Sequence, residues 1–181
     1  MEISPPAFHC IRKFWKVMMV RYSKMILVLC MGLFGFLVAW NNIADYGSNF
    51  AFVQHVMTMD TTFAGNALMG RAITDDRLHR AAYAMIILAE ALTGLLCTAG
   101  AYRLWRARKA GATVFNAAKG TAVAGLTLGF TTWFFGFMTV GAEWFLMWQS
   151  PTWNGQPAAF RFIVCLGIVL LYLATRDEEV A

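Results

Sequence analysis

Glu90 is a single ionisable residue inside one of the long apolar runs of the sequence. It lies about ten residues into the run 81–102, near the middle of a membrane-spanning helix at a rise of 1.5 Å per residue. An ionisable side chain at such a depth is costly and usually faces a bundle interior or a water-filled cavity. Glu90 is therefore a candidate proton or cation site. The alternative is a structural carboxyl, protonated and hydrogen-bonded to the next helix.

Two opposite charges, Glu143 and Arg161, flank the short turn 151–156. Both are expected at the outer ends of the helices that this turn connects. An interface of reduced dielectric strengthens their attraction, so the sequence predicts an ion pair between them. The alternative is two independently solvated charges that contribute little to stability.

His55, Asp60 and His79 carry the side-chain types that bind zinc or iron. The spacing of His55 and Asp60 does not put them on one face of a helix, and His79 is distant in sequence. None of the histidines lies within an apolar run, as a haem held between spans would require. We therefore predict no metal site and no cofactor.

Catalytic sequence patterns are absent: there is no G-x-S-x-G, no H-E-x-x-H and no phosphate-binding glycine loop. The basic linker between the second and third apolar runs has about fifteen residues, too few for a nucleic-acid-binding domain. The sequence therefore predicts a protein that is not an enzyme and has no nucleic-acid partner.

Polar and aromatic residues concentrate in two segments, 41–60 and 141–156. They can contact a partner. A pocket for a flat ligand such as a quinone can be lined by Trp144, Trp148 and Trp153 with Gln149, Asn154 and Gln156. Anchoring at the membrane interface explains the same tryptophans without any ligand. The candidates for a partner or ligand surface are Asn41, Asn42, Asp45, His55, Asp60, Trp148, Trp153 and Asn154.

The composition requires these residues to be positioned by membrane helices. Of the 181 residues, 59% are hydrophobic and only 14% are charged, whereas about a quarter are charged in a soluble domain. We predict an all-α membrane protein, a four-transmembrane-helix bundle in contact with the lipid bilayer. The four spans are expected at about residues 25–43, 81–102, 118–141 and 158–175, each near the length needed to cross the hydrocarbon.

The segments outside the spans have their own expected structures. Residues 1–24 are a basic cytoplasmic tail whose part 8–21 is an amphipathic surface helix. A short interfacial helix is expected in the first outer loop, within 49–60, and an N-cap at Thr74 or Asp75. The acidic residues 176–181 form a cytoplasmic tail.

The third helix has no breaker before Ser150 and Pro151. It is therefore expected to project past the membrane with Glu143, Trp144 and Trp148 on it.

Basic and aromatic residues predict the orientation of the bundle. Eleven of the fifteen Lys and Arg residues lie in the N-terminal tail, the linker 103–119 and the C-terminus. All of the Trp and Tyr residues except Trp133 fall at or beyond the ends of spans. Basic residues favour the cytoplasmic side and aromatic residues the interfaces, so both termini are predicted to be cytoplasmic.

Three stretches together resemble a known family: residues 41–60 (NNIADYGSNFAFVQHVMTMD), 117–125 (AAKGTAVAG) and 141–155 (GAEWFLMWQSPTWNG). They are similar to the bacterial predicted small integral membrane proteins called domain of unknown function 2165. The resemblance covers nearly all of residues 22–175. It implies a multi-pass protein of the bacterial inner membrane and four spans, and it supplies no activity, catalytic residue or cofactor.

Two functions are open at this point. The first is a non-enzymatic protein whose outer segments bind a membrane-protein partner or form a homo-oligomer. The second is a small oligomeric transporter or channel that uses Glu90 as its coupling group. An enzyme acting on lipid or quinone is third, and only the Trp and Asn cluster motivates it.

Overall fold

Four helices long and apolar enough to cross a membrane make up most of the computed structural model, which describes residues 6–179 and the side chains of 11–179. No β-strand occurs within that range, and the predicted all-α fold with four spans is confirmed. The helices are α1 (Pro6–Ala44), α2 (Tyr46–Thr58), α3 (Asp76–Ala107), α4 (Ala112–Ala118), α5 (Gly120–Thr131), a π-helical segment (Thr132–Trp144) and α6 (Gln156–Ala174). Short 3₁₀ turns occur at Met69–Arg71 and Met147–Gln149.

Helix α1 is one uninterrupted helix of 39 residues. At 1.5 Å per residue it is about 58 Å long, roughly twice the hydrocarbon thickness of a bilayer. The surface helix expected at 8–21 is therefore continuous with the first span. No Gly or Pro occurs between Pro6 and Gly32, so nothing in that stretch breaks the helix.

The loop between the first and second spans contains the expected short helix, α2. It ends where Met59 adopts the left-handed conformation, with φ of 54°, which is a common helix stop. Asp75 is the N-cap of α3, as predicted, because its side chain accepts a hydrogen bond of 2.9 Å from the Arg77 amide.

The third span differs from the expectation at its end. Its α-helical turns widen into a π-helix at Thr132, and the helix ends at Trp144 rather than at Ser150. The chain leaves the helical path at Leu146, whose φ is 54°. Trp148 consequently lies in a 3₁₀ turn beyond the helix, not on it as expected.

Glycines let α3 approach α1 and α5 at backbone distance. A Cβ at Gly35 of α1 would lie 2.8 Å from the Gly94 amide nitrogen, and one at Gly100 would lie 2.6 Å from the Ala122 Cα. Gly125, in the G-x-x-x-G pattern of α5, faces Cys97 of α3 in the same way. That pattern thus packs helices within one chain.

Two apolar cores are stacked along the bundle. The larger one fills the space between the four spans and includes Leu104, Leu126 and Leu166. The smaller one, with Met57, Phe145 and Met147, lies beneath α2 and the loop before α6. We call the end covered by residues 45–75 and 145–155 the capped end. The opposite end, which carries the linker 108–119 and residues 175–179, is the basic end.

Candidate functional site

The side chain of Glu90, a residue of α3, faces α1 and extends toward the capped end. Its side chain is almost fully buried, with 3% of its surface exposed, and its Oε2 accepts a hydrogen bond of 2.7 Å from Asn42 Nδ2. Because Gly35 and Gly94 bring the two helices together, a side chain as short as that of Asn42 reaches across to α3. Two residues that the sequence had assigned to separate roles therefore form one site.

Tyr83 orients the Asn42 amide. Its hydroxyl donates to the Asn42 backbone oxygen at 2.7 Å and lies 3.3 Å from Asn42 Oδ1. With the amide oxygen next to Tyr83, the amide nitrogen is directed to Glu90. Tyr83 was not among the candidates expected from the sequence. Its one signal there is that it precedes Glu90 by two helical turns on α3.

The other carboxyl oxygen of Glu90 is unsatisfied. Glu90 Oε1 is buried and has no hydrogen-bond partner among residues 11–179. No Lys, Arg or His in that part of the chain forms an ion pair with Glu90. A buried polar atom of this kind is uncommon in folded proteins and calls for an explanation.

The backbone of Glu90 lies near the middle of α3. Glu90 follows Asp76, the first residue of α3, by 14 positions and precedes Ala107, the last, by 17. A Cβ at Gly35 of α1 would lie 3.1 Å from the Glu90 backbone oxygen, so these two residues are at the same level. The Glu90 side chain extends from there toward the capped end, where its Oε2 meets Asn42.

Two adjoining cavities surround this site. The polar cavity, about 240 Å³, is lined by Asn42, Tyr83 and Glu90 together with aromatic rings. The apolar cavity, about 310 Å³, lies beside it under α2 and against the π-helical segment. The two share the side chains of Phe52 and Phe137 in their walls. The two cavities therefore adjoin across these side chains, and we call them together the compartment, with Asn42, Tyr83 and Glu90 at one end of it.

Toward the basic end the space around Glu90 closes. A gap of about 10 Å³ next to Thr93 and Trp133 has room for roughly one water molecule. Beyond it, Gly129 packs against Thr93 and Leu166. The compartment thus opens toward the capped half of the bundle.

His55 and Asp60 meet, although their spacing argued against a shared helical face. His55 Nδ1 is 2.7 Å from Asp60 Oδ2, because α2 ends at Thr58 and Met59 turns the chain back. The imidazole also stacks on Trp153, with ring centroids 4.5 Å apart. His79 is elsewhere, with its Nε2 at 2.8 Å from the Ile73 oxygen. Within the described part of the chain, no three His, Cys, Asp or Glu side chains are grouped as metal ligands.

The predicted ion pair between Glu143 and Arg161 is wrong for this structure. Arg161 Nε donates to the Pro157 oxygen, one turn earlier on α6, at 3.2 Å. Glu143 is exposed beside Arg71, which reaches its backbone oxygen at 3.4 Å. The ion pairs among residues 11–179 do not include Glu143 or Arg161.

The remaining outer candidates are distributed over the capped end. Asn41 and Asp45 are exposed at the junction of α1 and α2. Asn154 Oδ1 accepts from the Gln156 amide at 3.1 Å and so supports the start of α6. Trp148 is 45% exposed and packs edge-to-face on Phe63 at 5.7 Å.

Residues that the sequence analysis assigned only to topology form a buried polar cluster at the basic end. Asp177 Oδ2 lies 2.7 Å from Lys24 Nζ and 2.5 Å from Lys119 Nζ. Both ammonium groups also donate to the Thr175 oxygen. The acidic tail expected after residue 175 thus begins as part of the packed structure.

Arg21 extends this cluster. It donates to the backbone oxygens of Arg108 and Ala110 at 3.0 and 2.6 Å, and to that of Glu178 at 3.0 Å. Its guanidinium also lies over the ring of Phe115, 4.5 Å from the centroid. The only sequence signal was the complementary charge of the basic segments and the acidic C-terminus.

Comparison with known proteins found one family. Residues 20–176 match the family described as predicted small integral membrane protein (DUF2165). No curated protein and no solved structure matches the chain.

Proposed function

We propose that this chain, which belongs to the DUF2165 family of predicted small integral membrane proteins, is a non-enzymatic component of the bacterial inner (cytoplasmic) membrane that binds a membrane-protein partner at its capped end. Its N- and C-termini are cytoplasmic in this proposal, which puts the capped end outside. The excess of Lys and Arg at the basic end supports that orientation.

The observation that carries the proposal is the fixed geometry of the capped end. Two loops far apart in sequence are joined by side-chain bonds: Thr61 Oγ1 to Ser150 Oγ at 2.7 Å, and the Phe63 amide to Gln149 Oε1 at 3.1 Å. Crossing a bilayer does not require such a structure. It holds Phe63 and Trp148 exposed on one rigid surface, and exposed apolar patches with a polar rim are typical of interaction sites.

A groove beside this surface suits the end of a partner's membrane helix. It is an open depression of about 510 Å³, lined by Phe135, Thr139 and Trp144, with Arg71 and Glu143 at its polar side. An apolar floor with a charged rim is the usual composition of a protein interface. Arg71 and Glu143 offer one charge of each sign for pairing.

Photo-crosslinking in cells tests the proposal. A photoreactive residue at Thr139 or Trp148 is expected to give an adduct heavier than the 20.2 kDa chain. The matched control is Leu171, which is 73% exposed on α6 but lies outside the groove and the capped end. Mass spectrometry of the adduct distinguishes a different protein from a second copy of the chain.

Two outcomes contradict partner binding. One is an equal adduct from Leu171, which would indicate random collisions in the membrane. The other is reproducible isolation as a lone monomer in mild detergent, with no adduct from Thr139 or Trp148 in cells.

A second candidate function is transport, because Glu90 is buried, next to a cavity and without a cationic partner among residues 11–179. Four spans enclose little aqueous volume, so a transporter of this kind would be an oligomer. Proteoliposomes distinguish the candidates: an ion flux present with the wild-type chain and lost in Glu90→Gln favours transport. No flux from either protein, with a partner captured at Thr139, favours the partner-binding protein.

A further inference from the structure

We propose that the compartment formed by the polar and apolar cavities binds a hydrophobic organic cation, an ammonium group on an apolar body, with Glu90 as its counter-ion. This ligand site is separate from the groove proposed to contact a partner. It is argued from the unsatisfied carboxyl, the aromatic wall and the size of the compartment.

The carboxyl of Glu90 lacks what a cation supplies. Its Oε2 has a donor in Asn42, while its Oε1 is buried without a partner in the described chain. The nearest buried cations, Lys24 and Lys119, are committed to Asp177 at the opposite end of the bundle. An isolated buried carboxylate is strongly unfavourable, and an ammonium group bound next to it compensates the charge.

Aromatic rings make up much of the wall next to the carboxyl. Trp133 is central, with its ring centroid 4.6 Å from that of Phe137 and 4.4 Å from that of Phe162. Tyr83 and Phe52 also line the polar cavity. A cation close to aromatic faces gains electrostatic stabilisation from the ring quadrupoles, and the gain grows when water is excluded.

The apolar cavity defines the rest of the ligand. Its walls are aliphatic and aromatic, including Val56, Ile73 and Ile86. An apolar cavity of about 150 Å³ is enough to hold benzene, so this space of about 310 Å³ accepts a ring or a short alkyl chain. A small inorganic cation would leave it empty. The compartment therefore fits a cation at one end and an apolar group at the other.

Three ligands that share a phenyl group on a short alkyl chain but differ in their polar group test whether the compartment prefers a cation. They are 4-phenylbutylamine, 4-phenylbutan-1-ol and 4-phenylbutanoate, titrated calorimetrically at neutral pH into the full-length protein in phosphatidylcholine nanodiscs, with empty nanodiscs as the blank. We expect the amine to bind at least about tenfold more tightly than the alcohol, and the anion not to bind. In Glu90→Gln the amine affinity should fall to that of the alcohol, while the alcohol affinity stays unchanged.

Two further variants separate the site from the rest of the chain. Glu178→Gln removes an exposed carboxyl outside both cavities and should leave the amine affinity unchanged. Phe137→Leu keeps an apolar wall but removes one ring. We expect it to weaken the binding of the amine about threefold and the binding of the alcohol by less. Alcohol binding by Glu90→Gln also reports that this variant is folded.

Several results would overturn the inference. Equal affinities of amine and alcohol for the wild type would mean that Glu90 is no counter-ion, and this comparison stands even if Glu90→Gln does not fold. An unchanged amine affinity in a folded Glu90→Gln would do the same. If the neutral carbonyl compound 4-phenylbutan-2-one binds more tightly than the amine, Glu90 is protonated and donates a hydrogen bond to a carbonyl ligand, and it is not a counter-ion.

Discussion

Asn42 is the residue that connects the two sides of the Glu90 site. Sequence reasoning selected both Asn42 and Glu90, one as an outer polar contact and one as a buried ionisable group. It did not pair them, because residue counting alone assigns them different depths. Their 2.7 Å hydrogen bond follows from the crossing of α1 and α3 at Gly35 and Gly94, which is a property of the packed helices.

The hydroxyl of Tyr83 should contribute measurably to the stability of this crossing. Tyr83→Phe leaves the partly buried Asn42 backbone oxygen without this donor, and a net loss of about 1 kcal/mol in the free energy of unfolding is expected. Thermal unfolding in detergent, followed by circular dichroism, measures it. Tyr102→Phe is the matched control, since Tyr102 is 59% exposed. Equal effects of the two substitutions would argue against a structural role for the Tyr83 hydroxyl.

Asp177 is predicted to be the most sensitive acidic residue at the basic end. Asp177→Asn leaves Lys24 and Lys119 buried without a counter-charge, and breaking such a pair typically costs about 3–5 kcal/mol. We expect a large drop in thermal stability or loss of the folded protein from the membrane. Glu178→Gln, an exposed neighbour, should behave like the wild type. A wild-type melting temperature for Asp177→Asn would contradict a structural role for the cluster.

The polar cluster around Asp177 was not predictable from the sequence. Lys24 and Lys119 follow the rule that basic residues flank spans, and that rule treats them as solvated charges. Their burial depends on residues 175–179 folding back between α1 and α4. Complementary charge alone does not specify that path, since exposed pairs contribute little.

At the scale of helices, small residues decide which surfaces meet. Gly125 and Gly129 of α5 form a G-x-x-x-G pattern, which is typical of close helix contact, and both glycines face α3. The π-helical segment from Thr132 had no such signal. Its residues form an ordinary apolar run, and the sequence contains no Pro there that would mark a widened turn.

Substituting alanine for glycine should affect the stability of the protein differently at two positions. Gly100→Ala introduces a Cβ 2.6 Å from the Ala122 backbone, so α3 and α5 must separate, at an expected cost of about 1–3 kcal/mol. Gly47→Ala, in α2, meets nothing within 4 Å and should be neutral or stabilising by about 0.5–1 kcal/mol. Melting temperatures of the two variants in one detergent test the pair. A neutral Gly100→Ala would mean that α3 and α5 are not in backbone contact.

For the whole molecule, hydropathy predicted the four spans well because each apolar run is long enough to cross the membrane. The number of spans and their order follow from the pattern of hydropathy along the sequence. The compartment beside Glu90 does not, since residues from α1, α2, α3, the π-helical segment and α6 line its two cavities. Such a site depends on how the helices cross, and no short sequence pattern specifies it.

The orientation of the bundle decides whether the capped end meets its membrane-protein partner at the outer face of the membrane, and cysteine labelling measures that orientation directly. Single cysteines replace Thr152 at the capped end or Lys109 at the basic end, both exposed, in a chain that lacks its native cysteines. A membrane-impermeant maleimide should label Thr152→Cys in intact spheroplasts and Lys109→Cys only after lysis. Labelling of Lys109→Cys in intact spheroplasts, with Thr152→Cys protected, would contradict the proposed orientation and the outer partner surface.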